Sequence, residues 1–277
     1  MRRLSTERTA EQLRQHYEVE KELANRLRRS NRSERAAMYS QVYDELFRRV
    51  PNHPQWTKRG TERRELALEG QIRLLQPYLT PETAFLEVGA GDCALTLRVA
   101  PRVRKAYALE VSEELTRGLP PTDNFQLLLY NGIDVPLPDN SIDLAYSYQL
   151  IEHIHPDDVV DQLRELYRVL KPGGMYYCIT PNRLSGPHDI SRYFDHEASG
   201  LHLKEYSISD LVKLYRQIGF RRVWVERMIK SHRWPSPILP AMALERVVEC
   251  LPWGLRVRLT RSYVGSRLLN ASVVGRK

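Results

Sequence analysis

From residue 83 onward the chain alternates short apolar runs with helical periods, and this alternation limits its fold more than any other feature. TAFLEVG (83–89), KAYALEV (105–111), NFQLLLY (124–130), SIDLAYSYQL (141–150), MYYCIT (175–180), RRVWVERMI (221–229) and the closing ASVVGRK (271–277) read as seven strands. ALTLRVA, SEELTRGL, PDDVVDQLRELYRVLK and SISDLVKLYRQIGF read as the helices between them. In the third of these, Val159, Leu163, Leu166 and Leu170 share one face, and Pro156 with two aspartates marks its start. Strands joined in this way call for an α/β fold with a mostly parallel sheet and helices on both faces.

Residues 10–31, 33–49 and 61–76 read as helices, with PNHPQW (51–56) as a break. The expected organisation is a helical extension over 1–60 and a main domain over 61–277. Residues 231–262, apolar and basic together, are expected to form a helical insertion before the last strand.

The net charge of +8 is unevenly spread. Residues 1–64 carry 16 basic and 9 acidic side chains, residues 65–220 carry 14 and 22, and residues 221–277 carry 12 and 3. Basic ends suit an anionic partner, whether nucleic acid, lipid or substrate. Three widely spaced cysteines, Cys93, Cys178 and Cys250, argue against a disulfide framework or a zinc knuckle. The N-terminus has no apolar signal-like core, and the longest apolar run, 237–244, is far below the ~20 residues of a spanning helix. A cytoplasmic protein, possible to find at the membrane periphery, is the expectation.

In an open α/β sheet, ligands bind beyond the carboxyl ends of the strands, where FLEVGAGDCA (85–94) places Gly89 and Gly91. A Gly-x-Gly turn alone fits a plain strand-to-helix turn, and GAGDCA loosely fits a dinucleotide fingerprint. Two acids narrow the choice. Glu87 would repel a pyrophosphate but suits an ammonium group. Glu110, about twenty residues on at the next strand end, suits two ribose hydroxyls. A ligand with a ribose and an amino acid satisfies both.

These residues, with NGIDVPLPDNSIDLAYS, LIEHI, LRELYRVLKPGGMYYCITPN and HLKEYS…LYRQIGF, resemble the class I S-adenosylmethionine-dependent methyltransferases, in the broad group that includes ubiquinone-type O-methyltransferases. The resemblance covers roughly residues 65–230 and the closing strand, and implies a Rossmann-like fold with S-adenosyl-L-methionine as cofactor. It implies that Glu87, Gly89, Ala90 and Gly91 line the methionine part and that Glu110 holds the ribose, with Val111 also at the cofactor. Asn131, Gly132 and Ile133 would stand near the adenine, with Asn131 where the family usually has Asp. Ser147 and Gln149 would face the sulfonium. Direct in-line displacement needs alignment, exclusion of water and, for a hydroxyl or amine acceptor, a base; His153 and His188 are the candidates. Gln149 stands where ubiquinone-type relatives carry a cation-binding Glu, and no metal is expected.

The long segment 182–207 is expected to be a substrate lid. The N-terminal helices are expected to cap the substrate side or to meet a partner copy. The acceptor expected first is a small molecule or a lipid- or glycan-linked group, with 231–262 as a cap or membrane contact. An RNA methyltransferase using the basic flanks is one alternative, although no RNA-binding module or NPPY-type tetrapeptide is present. A non-catalytic cofactor-binding protein is the other.

Overall fold

The computed structural model describes residues 8–120, 122–229 and 232–277. Two helices lead, α1 (Ala10–Arg29) and α2 (Arg32–Arg49), each opened by a capping box: Thr9 with Gln12, and Asn31 with Glu34. A single turn, α3 (Pro54–Thr57), and α4 (Glu62–Leu75) follow. Then come β1 (Ala84–Val88), α5 (Ala94–Val99), β2 (Lys105–Glu110), α6 (Glu113–Thr116), β3 (Phe125–Leu129) and β4 (Ile142–Tyr148). The chain continues through α7 (Pro156–Val169), β5 (Leu170–Thr180), α8 (Ile208–Ile218), β6 (Arg222–Ile229) and β7 (His232–Ser236). It closes with α9 (Ile238–Glu249), α10 (Trp253–Thr260), α11 (Tyr263–Leu268) and β8 (Ala271–Arg276).

All eight strands form one sheet in the order β3-β2-β1-β4-β5-β8-β6-β7. β1 to β5 are parallel, β8 runs antiparallel between β5 and β6, and β7 is an antiparallel edge. Side chains alternate across the sheet as the pleat requires. Leu86 and Val88 face α7 and α8 in a core with Leu163, Leu211 and Tyr215. Phe85 faces the other layer, with Leu75, Leu95 and Val99 of α4 and α5. The architecture is Rossmann-like, as the alternation predicts, with eight strands rather than seven. The extra strand, β7, falls at the start of the supposed helical insertion: HRWPS is five residues with a proline, too short to show a strand period. Beyond it the insertion is helical and runs on through α11.

The leading helices lie over the carboxyl ends of the strands. Arg35 of α2 donates twice to buried Asp158 of α7 (both 2.6 Å), and the Tyr39 hydroxyl donates to the same carboxylate at 2.9 Å. Asp44 of α2 accepts from the Ser112 hydroxyl just past β2, at 2.6 Å. On α1, Glu20 accepts from the Leu201 N–H and Arg28 donates to the Ser199 and Gly200 carbonyls. A small core of Leu23, Leu27, Val42 and Leu46 seals the hairpin against Ile133 and Leu201.

Candidate cofactor site and acceptor cavity

A cavity of about 610 Å³ lies beyond the carboxyl ends of β1, β2 and β4, within the size range of small-molecule sites. Its floor is the Gly89–Gly91 turn with Glu87, Glu110, Val111, Gln149 and His153. Its roof comes from the leading helices, which contribute Tyr43, Phe47, His53, Lys58 and Arg64.

The floor is built for close approach. Gly89 has φ +71° and Gly91 φ +58°, and a Cβ on Gly89 would meet Leu150 Cδ1 at 2.7 Å. The Gly89 and Ala90 N–H groups donate to the Leu109 carbonyl, folding the turn back on β2. Gln149, at the end of β4, is held at φ +56°, a left-handed conformation that costs a non-glycine residue and clusters at functional sites.

Two buried carboxyls face this turn. Glu87 accepts from the Thr96 hydroxyl, and burial pushes its pKa up to about 8. Glu110 is raised by burial as well, against the opposing pull of the Ser112, Gly91 and Val111 N–H groups. Those donors lie at 3.1, 2.6 and 2.9 Å and fix the carboxyl's orientation. A buried carboxyl without a cation gains most from a cationic or hydrogen-donating ligand. The pair therefore fits a group bearing an ammonium at one end and hydroxyls at the other. Asp92 ties the turn to the roof through ion pairs with Arg64 and Arg59.

Seven of the residues that the resemblance implies stand in the cavity wall: Glu87, Gly89, Ala90, Gly91, Glu110, Val111 and Gln149. Four stand outside it. Asn131 Oδ1 accepts from the Ile133 and Asp134 N–H groups and its amide donates to Asp134, so its polar atoms serve its own turn. Gly132 lies under the Tyr39 ring and Ile133 in the hairpin core. Tyr130 lines the cavity instead. Ser147 points away, its hydroxyl bonded to buried Tyr176 at 2.7 Å.

The two histidine candidates separate. His153 lines the cavity, half-buried, with Nδ1 donating to the Leu201 carbonyl at 3.0 Å. Burial and nearby charged His202 hold its pKa near about 3, so the ring is neutral and Nε2 keeps its lone pair. His188 lies outside the cavity wall, bonded to Ser185 at 2.9 Å, with its backbone N–H on Glu205. The segment 182–207 is likewise no lid: Leu184, Ile190 and Ser191 are buried in it and only Leu201 reaches the cavity. The covering role falls to α1 to α4.

Two triads among the described residues bring ligand-type atoms within 4.8 Å: His16, Glu20 and His53, and Glu152, His153 and His202. In the first, His16 already bonds Glu20 at 2.7 Å. In the second, burial opposes charge on His202, but its Glu205 hydrogen bond and the Glu152 and Glu205 carboxylates outweigh it and raise the ring to about 9.

The sequence reading missed the roof side chains, above all Tyr43 and His53. The Tyr43 hydroxyl is buried with no hydrogen-bond partner. Its signal was the repeat Tyr39, Tyr43, Phe47 along one face of α2, which reads equally as ordinary core.

Residues 86–178 match a family described as a methyltransferase domain. A protein of Mycolicibacterium smegmatis named as a probable S-adenosylmethionine-dependent methyltransferase is 34% identical over 90 residues, 32% of this chain and 33% of that protein. A demethylmenaquinone methyltransferase of Symbiobacterium thermophilum is 30% identical over 118 residues, 39% of this chain and 46% of its own. The chain thus spans a third to a half of these relatives' lengths. The solved S-adenosylmethionine-dependent methyltransferase of Archaeoglobus fulgidus shares the fold, at TM-score 0.51 and 19% identity over 86% of this chain and 100% of that one. The matched strands and turn are those that build the cavity floor, so the likeness to proteins named as S-adenosylmethionine-dependent methyltransferases falls on the residues that form the site.

Proposed function

We propose that the protein methylates a small-molecule acceptor, lipid-linked acceptors included, held between the glycine turn and the helical roof. The observation that carries this reading is the Tyr43 hydroxyl, buried in the cavity wall without a partner. An unpaired buried hydroxyl costs free energy, which a polar atom of an acceptor offsets. The wall also offers apolar and aromatic side chains, Leu46, Phe47, Tyr148 and Leu150, beside the charged Lys58 and Arg64. Such a lining suits a flat or greasy molecule, and the relatives named as demethylmenaquinone methyltransferases favour the same class.

S-adenosylmethionine, when bound, supplies a methyl group already activated on a sulfonium. Glu87 would hold its ammonium and Glu110 its ribose hydroxyls. His153 Nε2, the free lone pair of a neutral ring, can accept a hydrogen bond from an acceptor hydroxyl or amine and so orient it for the transfer. The roof excludes water from the sulfonium.

The test is release of S-adenosylhomocysteine with panels of phenols, quinols, amines and structured RNA. Turnover of a small molecule, reduced at least tenfold by Tyr43→Phe or His153→Gln, supports the reading. RNA methylation would transfer it to the basic flanks. Cofactor binding without turnover on any panel would leave a non-catalytic binding protein.

A further inference from the structure

The helices before the last strand face solvent with the wrong side out. In α9, Ala241, Glu245 and Val248 are buried, while Leu239 and Val247 on the opposite face are 71% and 66% exposed. In α10, Val257 and Thr260 are buried, while Leu255 and Leu259 face outward. Of the thirteen large apolar side chains exposed among the described residues, nine fall between residues 234 and 268. A concentration of this kind marks a contact surface rather than scattered exposure.

The same stretch is basic. Residues 233–267 hold six arginines and two glutamates. Neither acid offsets the outward face. Glu245 is buried, accepting from Asn182 and the Ile208 and Ser209 N–H groups. Glu249 is paired with Arg183 at 2.6 Å. Arg246 and Arg258 are exposed on the same faces as the outward leucines and valine. A Trp, Trp253, stands at the start of α10. Apolar side chains interleaved with arginine and bordered by tryptophan match the chemistry of the bilayer interface: acyl chains below, anionic headgroups above.

We infer that the outer face of α9, α10 and α11 docks on an anionic lipid bilayer. Its arginines meet headgroup phosphates while Leu239, Val247, Leu255 and Leu259 enter the acyl boundary. α10 packs on the segment after β5, where Arg261 donates to the Ser185 and Pro187 carbonyls. That segment also meets α1 through Tyr17 stacked on Phe194. Docking would set the membrane at the carboxyl end of the sheet, the end that carries the cavity. The binding itself does not depend on which acceptor is methylated.

The test is co-sedimentation of the full chain with phosphatidylcholine vesicles, with and without 30% phosphatidylglycerol (about that fraction), at physiological salt. Binding is expected only with the anionic vesicles. Leu255→Ser with Leu259→Ser, both exposed, should lower it at least tenfold with charge unchanged. Arg258→Glu should lower it roughly fivefold or more, as expected for a basic residue near an anionic surface. Unchanged thermal unfolding of these variants shows that the fold is intact. Equal binding to both vesicle types, no binding, or binding unaffected by the variants overturns the inference. So does a concentration-dependent dimer by light scattering that Leu255→Ser with Leu259→Ser dissolves, since the face would then be covered by a second copy.

Discussion

Glu87 offers a direct test of how the cofactor is held. Burial pushes its carboxyl up to about 8, so near pH 7 the ligand-free protein keeps it protonated about nine times in ten. An ammonium group arriving beside it favours the carboxylate, and binding must then expel that proton. The ligand's own α-amino group titrates near pH 8. The affinity should therefore peak near pH 8 and fall on either side. From pH 8 to pH 6 the fall works out at roughly 25-fold, about 2 kcal/mol. Calorimetric titration with S-adenosylmethionine at pH 7, in two buffers of different ionisation enthalpy, should reveal the release of nearly one proton. Glu87→Gln should abolish that release, flatten the rise from pH 6 to pH 8, and weaken binding at pH 8 by about 2 kcal/mol, as expected for a charge-assisted hydrogen bond. Glu110→Gln should weaken binding but keep most of the proton release. Wild-type binding with no buffer dependence, or an unchanged pH profile in Glu87→Gln, would refute the ammonium assignment.

Arg35→Ala leaves Asp158 buried without its bidentate partner and should cost about 3–5 kcal/mol of stability by chemical denaturation; Arg35→Met with Asp158→Leu should recover most of it. Gly89→Ala forces a Cβ within 2.7 Å of Leu150 at φ +71°. It should destabilise by about 1–3 kcal/mol and weaken cofactor binding in the same titration. His202 is raised to about 9 from an ordinary value near 6.5, so the stability it contributes is full below about pH 6.5 and is lost as pH rises through about 9. The melting temperature of His202→Gln should therefore fall less steeply than wild type over that window.

The alternation of strands and helices was readable because buried parallel strands are continuous apolar runs and their crossover helices carry clear 3.6-residue faces, as in Val159, Leu163 and Leu166. The floor of the cavity was readable because a turn that needs glycine must show glycine, and because the acids Glu87 and Glu110 stand out at the ends of apolar strands. What escaped was anything decided by distant pairing. Tyr39, Tyr43 and Phe47 carry the pattern of a core face, and only the folded chain shows that this face meets both α7 and a cavity. Asn131 sits in the stretch that the resemblance places at the adenine, yet local hydrogen bonds to Ile133 and Asp134 claim its side chain. His188 and His153 are equally plausible bases in a sequence. Their separation follows from the path of the chain after β5.

The edge formed by β7 bears on how the protein survives its own synthesis and concentration. Without it, β6 would end the sheet with the open backbone of RVWVERMI, an apolar row of free donors and acceptors able to recruit another chain. β7 pairs with that row, and its own outer side is blunted: Pro235, opposite Glu226, has no N–H to offer a newcomer. Exposed Trp234 adds bulk beside it. A five-residue strand too irregular to read from the sequence thus acts as a terminator against edge-to-edge polymerisation. Replacing Pro235 with a β-former such as Val should leave the fold intact and make the protein more prone to aggregate during refolding.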